Sequence, residues 1–206
     1  MTRPKSRAPL AALLAALAAS LGGCPIPQSL PEYPLTGKIA PPRILSDQVL
    51  PAETTIRLAP DCATPPAFSL FVEVVDENTL ETVEARWFVD YDPAGSTKVP
   101  YGAPIFIPGP SDGITTVRPV VPPASPPGAP SFVFEPYGFD TQAIRDGGGL
   151  HVVELVVSNG FAPEPGDPPH AQPYRTPAAK FETQVFRWVF HYVPAGTGGA
   201  CGYPAP

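Results

Sequence analysis

The chain has 206 residues with 13 basic and 19 acidic side chains, a formal net charge of −6. Such an anionic surface repels phosphate backbones and acidic headgroups, which argues against nucleic acid as a partner and against peripheral electrostatic contact with a membrane. Proline (33) and glycine (18) approach the range of low-complexity chains, but a hydrophobic share of 43% and an aromatic share of 10% supply enough apolar surface for a core.

The first 23 residues read as an export signal. Arg3, Lys5 and Arg7 form a basic start, and an Ala- and Leu-rich run of twelve residues follows from Leu10 to Leu21. That run is too short to span a bilayer, which needs roughly 20 residues. It ends in Leu21-Gly22-Gly23-Cys24, with Cys24 placed where a signal peptidase would cut. In these four residues the chain resembles the bacterial lipoproteins, whose lipobox reads Leu, a small residue, Gly or Ala, then Cys. The resemblance implies a diacylglyceryl thioether on Cys24, a further palmitate-type acyl chain on the new amino group, and a lipid anchor in the cell envelope. Pro25, where an Asp would signal inner-membrane retention in that family, favours the outer membrane. The alternative is an ordinary secretory signal cut near Ala16-Leu17-Ala18, with Cys24 an incidental thiol. Cysteine arithmetic weighs against it, because an odd thiol is awkward in an exported protein and lipidation of Cys24 leaves Cys62 and Cys201 as a pair. Three of the thirteen basic residues precede Cys24, so the mature chain keeps ten against nineteen acidic ones, a formal charge of −9.

Beyond Cys24 the chain alternates between proline clusters and apolar runs. Within the lipidated-Cys and tether region 24–42, residues 25–42 carry six prolines and no apolar period, and read as a semi-rigid tether of at most ~55 Å at about 3.1 Å per residue. A single domain follows over residues 43–206. Its short strand candidates are Thr54 to Leu58, Pro104 to Ile107, Ile114 to Val121 and Ser131 to Glu135. Phe68 to Val75 is expected to form a hairpin with Thr82 to Tyr91 across Asp76-Glu77-Asn78-Thr79. In the second of these, Val83, Ala85, Trp87, Val89 and Tyr91 share one face and Glu84, Arg86 and Asp90 the other, so one side should be buried. Leu150 to Val157 and Val185 to Val193 complete the long strands, the last with Phe186, Trp188, Phe190 and Tyr192 on one side. Asp140 to Arg145 reads as a helical turn capped by Asp140 and stopped at Gly147. Residues 119–130 and 159–180 hold six prolines each and read as loops. Seven to nine strands with almost no helix point to an all-β sandwich.

The order of features resembles bacterial immunoglobulin-like domains: Trp87 in mid-strand, the helical turn at Asp140 to Arg145, then Gly149-Leu150-His151-Val152 opening a long penultimate strand that ends at Ser158-Asn159. His151 stands where many members carry the corner tyrosine. With Phe68 to Val75 as the second strand and Val185 to Val193 as the last, this topology places Cys62 and Cys201 at one pole, where a disulfide joins the C-terminal tail to the body.

Nothing in the sequence spells out catalysis. It contains no Gly-x-Ser-x-Gly, no His-Glu-x-x-His and no phosphate loop. His151, His170 and His191 are the only histidines, two on neighbouring strands and one in a loop, and no metal or other cofactor is expected. Asp76-Glu77-Asn78 and Asp90-Tyr91-Asp92 fall at opposite poles and read as solvated turns, since the strand between them is too long for a shared calcium. The aromatic row on the last strand reads as core, with a sugar-stacking platform as the alternative. The long loop 159–180 beside the turn at Asp76 is the expected working surface, with His170, Tyr174, Arg175, Asp76 and Asn78 as candidate partner-binding residues. The expected function is a lipid-anchored, non-catalytic binding or structural module facing an envelope protein or glycan. A carbohydrate-binding lipoprotein and a small hydrolase with an unfamiliar site are the alternatives.

Overall fold

A computed structural model describes residues 40–98, 100–113, 115–122, 125–126, 128–162 and 174–202. Cys24 and His170 lie outside these residues, as does the stretch 1–39. The described residues fall within the compact unit Gly37–Pro206.

The domain is an all-β sandwich. Its larger layer has five strands in the order β2-β10-β9-β5-β6. In chain sequence these are β2 (Thr55–Leu58), β5 (Val83–Val89), β6 (Ile105–Ile107), β9 (Leu150–Ser158) and β10 (Gln184–Tyr192). β2 runs parallel to β10 and every other pair in this sheet is antiparallel. The opposing layer comprises β1 (Arg43–Ile44), β4 (Glu73–Val75) and β7 (Val117–Pro119) in one ladder, with β3 (Phe68–Leu70) and β8 (Phe132–Phe134) in another. That makes ten strands among the described residues, against the seven to nine expected, because one expected strand divides and the two-residue β1 carries no alternation to reveal it.

The divided strand is Phe68 to Val75. Both halves face a chain running the opposite way: Val117–Pro119 pairs with Val75–Glu73, and Phe132–Phe134 pairs with Leu70–Phe68. Between β7 and β8 the described residues Pro122 and Pro126 lie outside the ladder, since prolines have no N–H to give it. The hydroxyl of Ser131 takes over locally, donating to the Leu70 carbonyl at 2.6 Å. The expected hairpin between Phe68–Val75 and the Trp87 strand does not form. β4 and β5 lie in different sheets, and the turn at Asp76 to Thr79 carries the chain across the sandwich.

The core between the layers is aromatic. Trp87, 2% exposed, stacks on Phe132 at 4.7 Å between ring centroids and on Trp188 at 5.7 Å. Phe190 contacts Phe68 and Phe134, and Ile56, Leu58, Leu70, Val74 and Leu155 fill the remainder. The Trp188 indole donates to the Pro51 carbonyl at 3.1 Å. With both tryptophans buried, neither forms the sugar-stacking platform. The row on β10 is core at Trp188, Phe190 and Tyr192, with Phe186 half-buried at its end.

The expectation that β5 is buried on one side only is overturned. Arg86 and Phe88 on its reverse face are both buried, because the chain after β9 folds back over the outside of the sheet. Phe88, Val156 and Phe161 make a second small core there, flanked by Tyr91, Tyr174 and Val185.

The disulfide between Cys62 and Cys201 is formed, with Cα atoms 5.7 Å apart. The edge pairing explains it. β2 beside β10 delivers Leu58 to Ala200, so the residues that follow each of them meet.

Candidate functional site

The expected partner surface at the Asp76 pole is engaged within the fold. Its neighbours are as expected, for Asn159 at the end of β9 donates its amide to Asp76 at 2.8 Å. The solvated-turn reading fails, however, because Asp76 is fully buried. Its carboxylate also accepts the Asn78 backbone N–H at 2.9 Å and lies 3.5 Å from Arg118, whose guanidinium holds the Glu81 and Asn78 carbonyls. Buried carboxylates require such partners, and Asp76 spends its oxygens on them.

Tyr174 and Arg175 are likewise drawn inward. The base of the long loop is zipped by Ala162 N–H to the Thr176 carbonyl (2.8 Å) and Ala178 N–H to the Gly160 carbonyl (3.0 Å). Arg175 then lies across the sheet, 4.3 Å above the Tyr91 ring, and donates to the buried Glu154 at 2.8 Å, which Arg187 also contacts. Arg86 sits 4.1 Å over Phe161 and donates to the Tyr174 carbonyl at 2.7 Å. Tyr174 and Arg175 are half-buried. Apolar residues on both faces of β5 and β9, Phe88 and Val156 against Trp87 and Leu155, were the sequence signal for this two-sided burial.

At the opposite end of β9 lies a carboxylate–imidazole–carboxylate bridge. His151 Nδ1 lies 2.6 Å from Asp90 and Nε2 lies 2.6 Å from Asp140, with the ring buried against Phe134 and Phe139. Asp90 has a positive φ of 51°, a conformation that Asp tolerates better than most residues, and its second oxygen accepts the Val152 N–H. Asp140 is therefore not the helix cap. The short helix α1 (Gln142–Asp146) begins after Thr141 and ends at Gly147. Burial opposes a charge on His151, but hydrogen bonds to Asp90 and Asp140 and the charge of each outweigh it, and the imidazole pKa is raised. The bridge ties the turns after β5 and before α1 to the start of β9.

The sign of its pH dependence follows. A histidine with a raised folded-state pKa contributes stability in full below about pH 6.5 and loses it as pH rises through the elevated value. The stability difference between the wild type and a His151→Gln variant should therefore be largest near pH 5.5 and shrink as pH rises above neutrality. Thermal unfolding of both proteins over pH 5 to 9 measures it. A gap independent of pH would show that the ring is held uncharged. His191 does not join this cluster, because Phe190 is the partner of His151 and the next residue faces the other side of the sheet.

An aromatic cleft that opens to solvent lies on the seam between the layers, where Pro122, Ser131 and Phe132 face the edge strand β6. Its cavity of about 360 Å³ is lined by Trp87, Tyr101, Pro104, Pro122, Ser131 and Phe132 among others. A second depression of about 350 Å³ shares Pro122 and continues along Phe106 and Pro119. Tyr101 (47% exposed), Phe106 (59%) and Val133 (41%) are apolar side chains exposed at or beside these depressions. Tyr101 packs edge-on against Phe132 at 5.5 Å. The Trp87 indole N–H is buried with no hydrogen-bond partner. Sequence reasoning missed this cleft, because it depends on which edges face each other across the sandwich.

Among the described residues no cluster of His, Cys, Asp and Glu side chains is arranged to hold a metal ion. Comparison with protein-family models, with curated proteins and with solved structures gives no match for this chain.

Proposed function

We propose that this protein is a lipid-anchored component of a bacterial cell envelope, with its sandwich acting as a non-catalytic binding module. The observation that carries the anchor is the complete lipobox at Leu21-Gly22-Gly23-Cys24 together with the cysteine count. Cys62 and Cys201 are bonded to each other, so Cys24 is the single cysteine left over, as a thioether anchor requires. Two or three acyl chains, at roughly 0.8 kcal/mol per buried methylene, hold such a protein on the bilayer far more firmly than one. Pro25 favours the outer membrane.

The binding role is supported by the seam cleft, an aromatic concavity with exposed apolar rims, the kind of surface that marks interaction sites. The hydrolase alternative draws less support. Both nitrogens of His151 are held by carboxylates, which leaves neither to take a proton from a nucleophile.

Metabolic labelling with a fatty acid tests the anchor. Wild-type protein should carry label and sediment with membranes, whereas a Cys24→Ser variant should carry none and accumulate as an uncut precursor. Label retained on that variant would remove the lipoprotein reading.

A further inference from the structure

We infer that Asp90, His151 and Asp140 form a proton-operated clasp, which fastens the turn from Asp90 to Thr97 to the start of β9 while the imidazole is charged and releases that turn when the proton leaves. A carboxylate only accepts hydrogen bonds, and a neutral imidazole has one N–H to give. With an Asp90 oxygen 2.6 Å from Nδ1 and an Asp140 oxygen 2.6 Å from Nε2, both contacts are hydrogen bonds only when the ring carries two protons. Loss of one sets a nitrogen lone pair against a carboxylate at that distance, so one arm of the bridge has to open. The other titratable groups nearby attend Asp140 and not the ring. Arg145 of α1 donates to the Asp140 carbonyl at 2.8 Å, and Tyr192 of β10 lies beside the Asp140 side chain with Tyr137 next to it. Phe134 of β8 and Phe139 pack on the imidazole, and Phe190 of β10 is its cross-strand partner, none of them charged.

Burial decides which arm yields. The Asp140 side chain is 3% exposed, so without the imidazole it would be a charge cut off from water, whereas the Asp90 side chain, 39% exposed, can exchange His151 for water. The remaining proton therefore stays on Nε2, and Asp90 is let go. That residue is the hinge of its turn. Its positive φ of 51° is held on one side by β9, where its N–H donates to the Val152 carbonyl at 2.8 Å and its carboxylate accepts the Val152 N–H at 2.7 Å. On the other side its carbonyl accepts the Thr97 hydroxyl at 2.7 Å, and that same hydroxyl accepts the Asp92 N–H at 3.2 Å, so the turn is organised around Asp90. Further on, the Tyr101 N–H donates to the Trp87 carbonyl at 2.6 Å and fastens the chain again, which keeps the opening local. Burial opposes the charge on His151, but hydrogen bonds to Asp90 and Asp140 and the charge of each outweigh it, so the proton is held above the ordinary histidine value. The clasp is closed in acid and opens as pH rises through that elevated value.

Nuclear magnetic resonance of the full-length ¹⁵N-labelled protein in detergent micelles, titrated from pH 5 to 9, reads both parts of the device. Long-range ¹H–¹⁵N spectra of the His151 ring, identified by its through-space contacts with Phe134 and Phe139, should show protons on both nitrogens at the acid end and on Nε2 alone at the alkaline end. Over the same step the amide signals of Asp92, Ala94 and Gly95 should shift and their heteronuclear NOEs fall, while those of Leu155 and Trp188, in mid-strand of the same sheet, stay constant. Asp90→Asn keeps the size of the side chain, tolerates the positive φ and supplies an amide N–H that donates to a neutral Nδ1, so in this variant the turn should stay ordered at both ends of the titration. No titration of the ring between these limits, loss of the Nε2 proton in place of Nδ1, a turn that stays ordered through the His151 step in the wild type, or an undiminished step in Asp90→Asn each overturns the inference. So does a step in which Leu155 and Trp188 move with the turn, because the ring then governs the whole sandwich and no separate clasp exists. If Asp90→Asn does not fold, the wild-type titration decides by itself.

Discussion

Replacing Cys62 and Cys201 together by serine should lower the stability of the sandwich by up to about 5 kcal/mol, the chain-entropy value for a loop this long. The bond spans a sequence separation of 139 residues, so it restricts nearly the whole unfolded domain. The native ends need little help to meet. Ala200 donates to the Arg57 carbonyl at 2.6 Å, and Ala59 donates to the Ala200 carbonyl at 3.1 Å. Gly199 permits this approach, since a Cβ there would lie 2.3 Å from the Ala59 nitrogen. Tyr137 holds the other side, accepting the Cys62 N–H at 2.9 Å and donating to the Ala59 carbonyl at 3.0 Å, with Arg145 stacked 4.1 Å over its ring. The bond therefore acts mainly on the unfolded state, and the double variant should keep the native fold with a melting temperature lower by roughly 10–20 °C. Urea unfolding of oxidised wild type, reduced wild type and the double variant checks this. The last two should coincide. If oxidised wild type coincides with them too, the sulfurs are not joined in the protein.

Legibility of the fold in the sequence depended on how far each signal reached. The nine-residue strands β9 and β10 and the strand bearing Trp87 were readable because strict alternation places one apolar face, and no other conformation explains Val153, Leu155 and Val157 or Trp188, Phe190 and Tyr192. The disulfide and the meeting of Asp76 with Asn159 followed once those strands had an order. What escaped was the choice of partner. Phe68 to Val75 alternates well, yet alternation says which face is buried and not which strand lies alongside, so the false hairpin with β5 and the division opposite residues 121–131 both went unread. The internal contacts of the candidate binding residues went unread in a related way. Tyr174, Arg175 and Asp76 are residue types favoured at surfaces, but buried Glu154, the Tyr91 ring and Arg118 supply internal partners from 21 to 84 residues away along the chain for Arg175, and from the neighbouring strand β7 for Asp76. The Asp90–His151–Asp140 bridge was invisible for the same reason, since its first member follows β5 and the other two flank α1.

Trp87→Ala should destabilise the domain by about 3–5 kcal/mol, since a large buried ring is removed from the centre of the core. Trp87 is held between Phe132 and Trp188, so neither ring can follow an alanine inward without breaking its own contacts. Phenylalanine at the same place should cost much less. It keeps an aromatic face toward Phe132, and it removes an indole N–H that has no partner and whose burial already carries a desolvation penalty. Trp188→Phe is the informative contrast, because there the indole is bonded to Pro51 and its loss leaves a buried carbonyl unpaired. The expected order of destabilisation is therefore Trp87→Ala above Trp188→Phe above Trp87→Phe, read from urea unfolding midpoints at constant m-value. If Trp87→Phe proves as costly as Trp188→Phe, the Trp87 N–H has a partner within the folded protein. If Trp87→Ala leaves the midpoint unchanged, the ring is not part of the core at all.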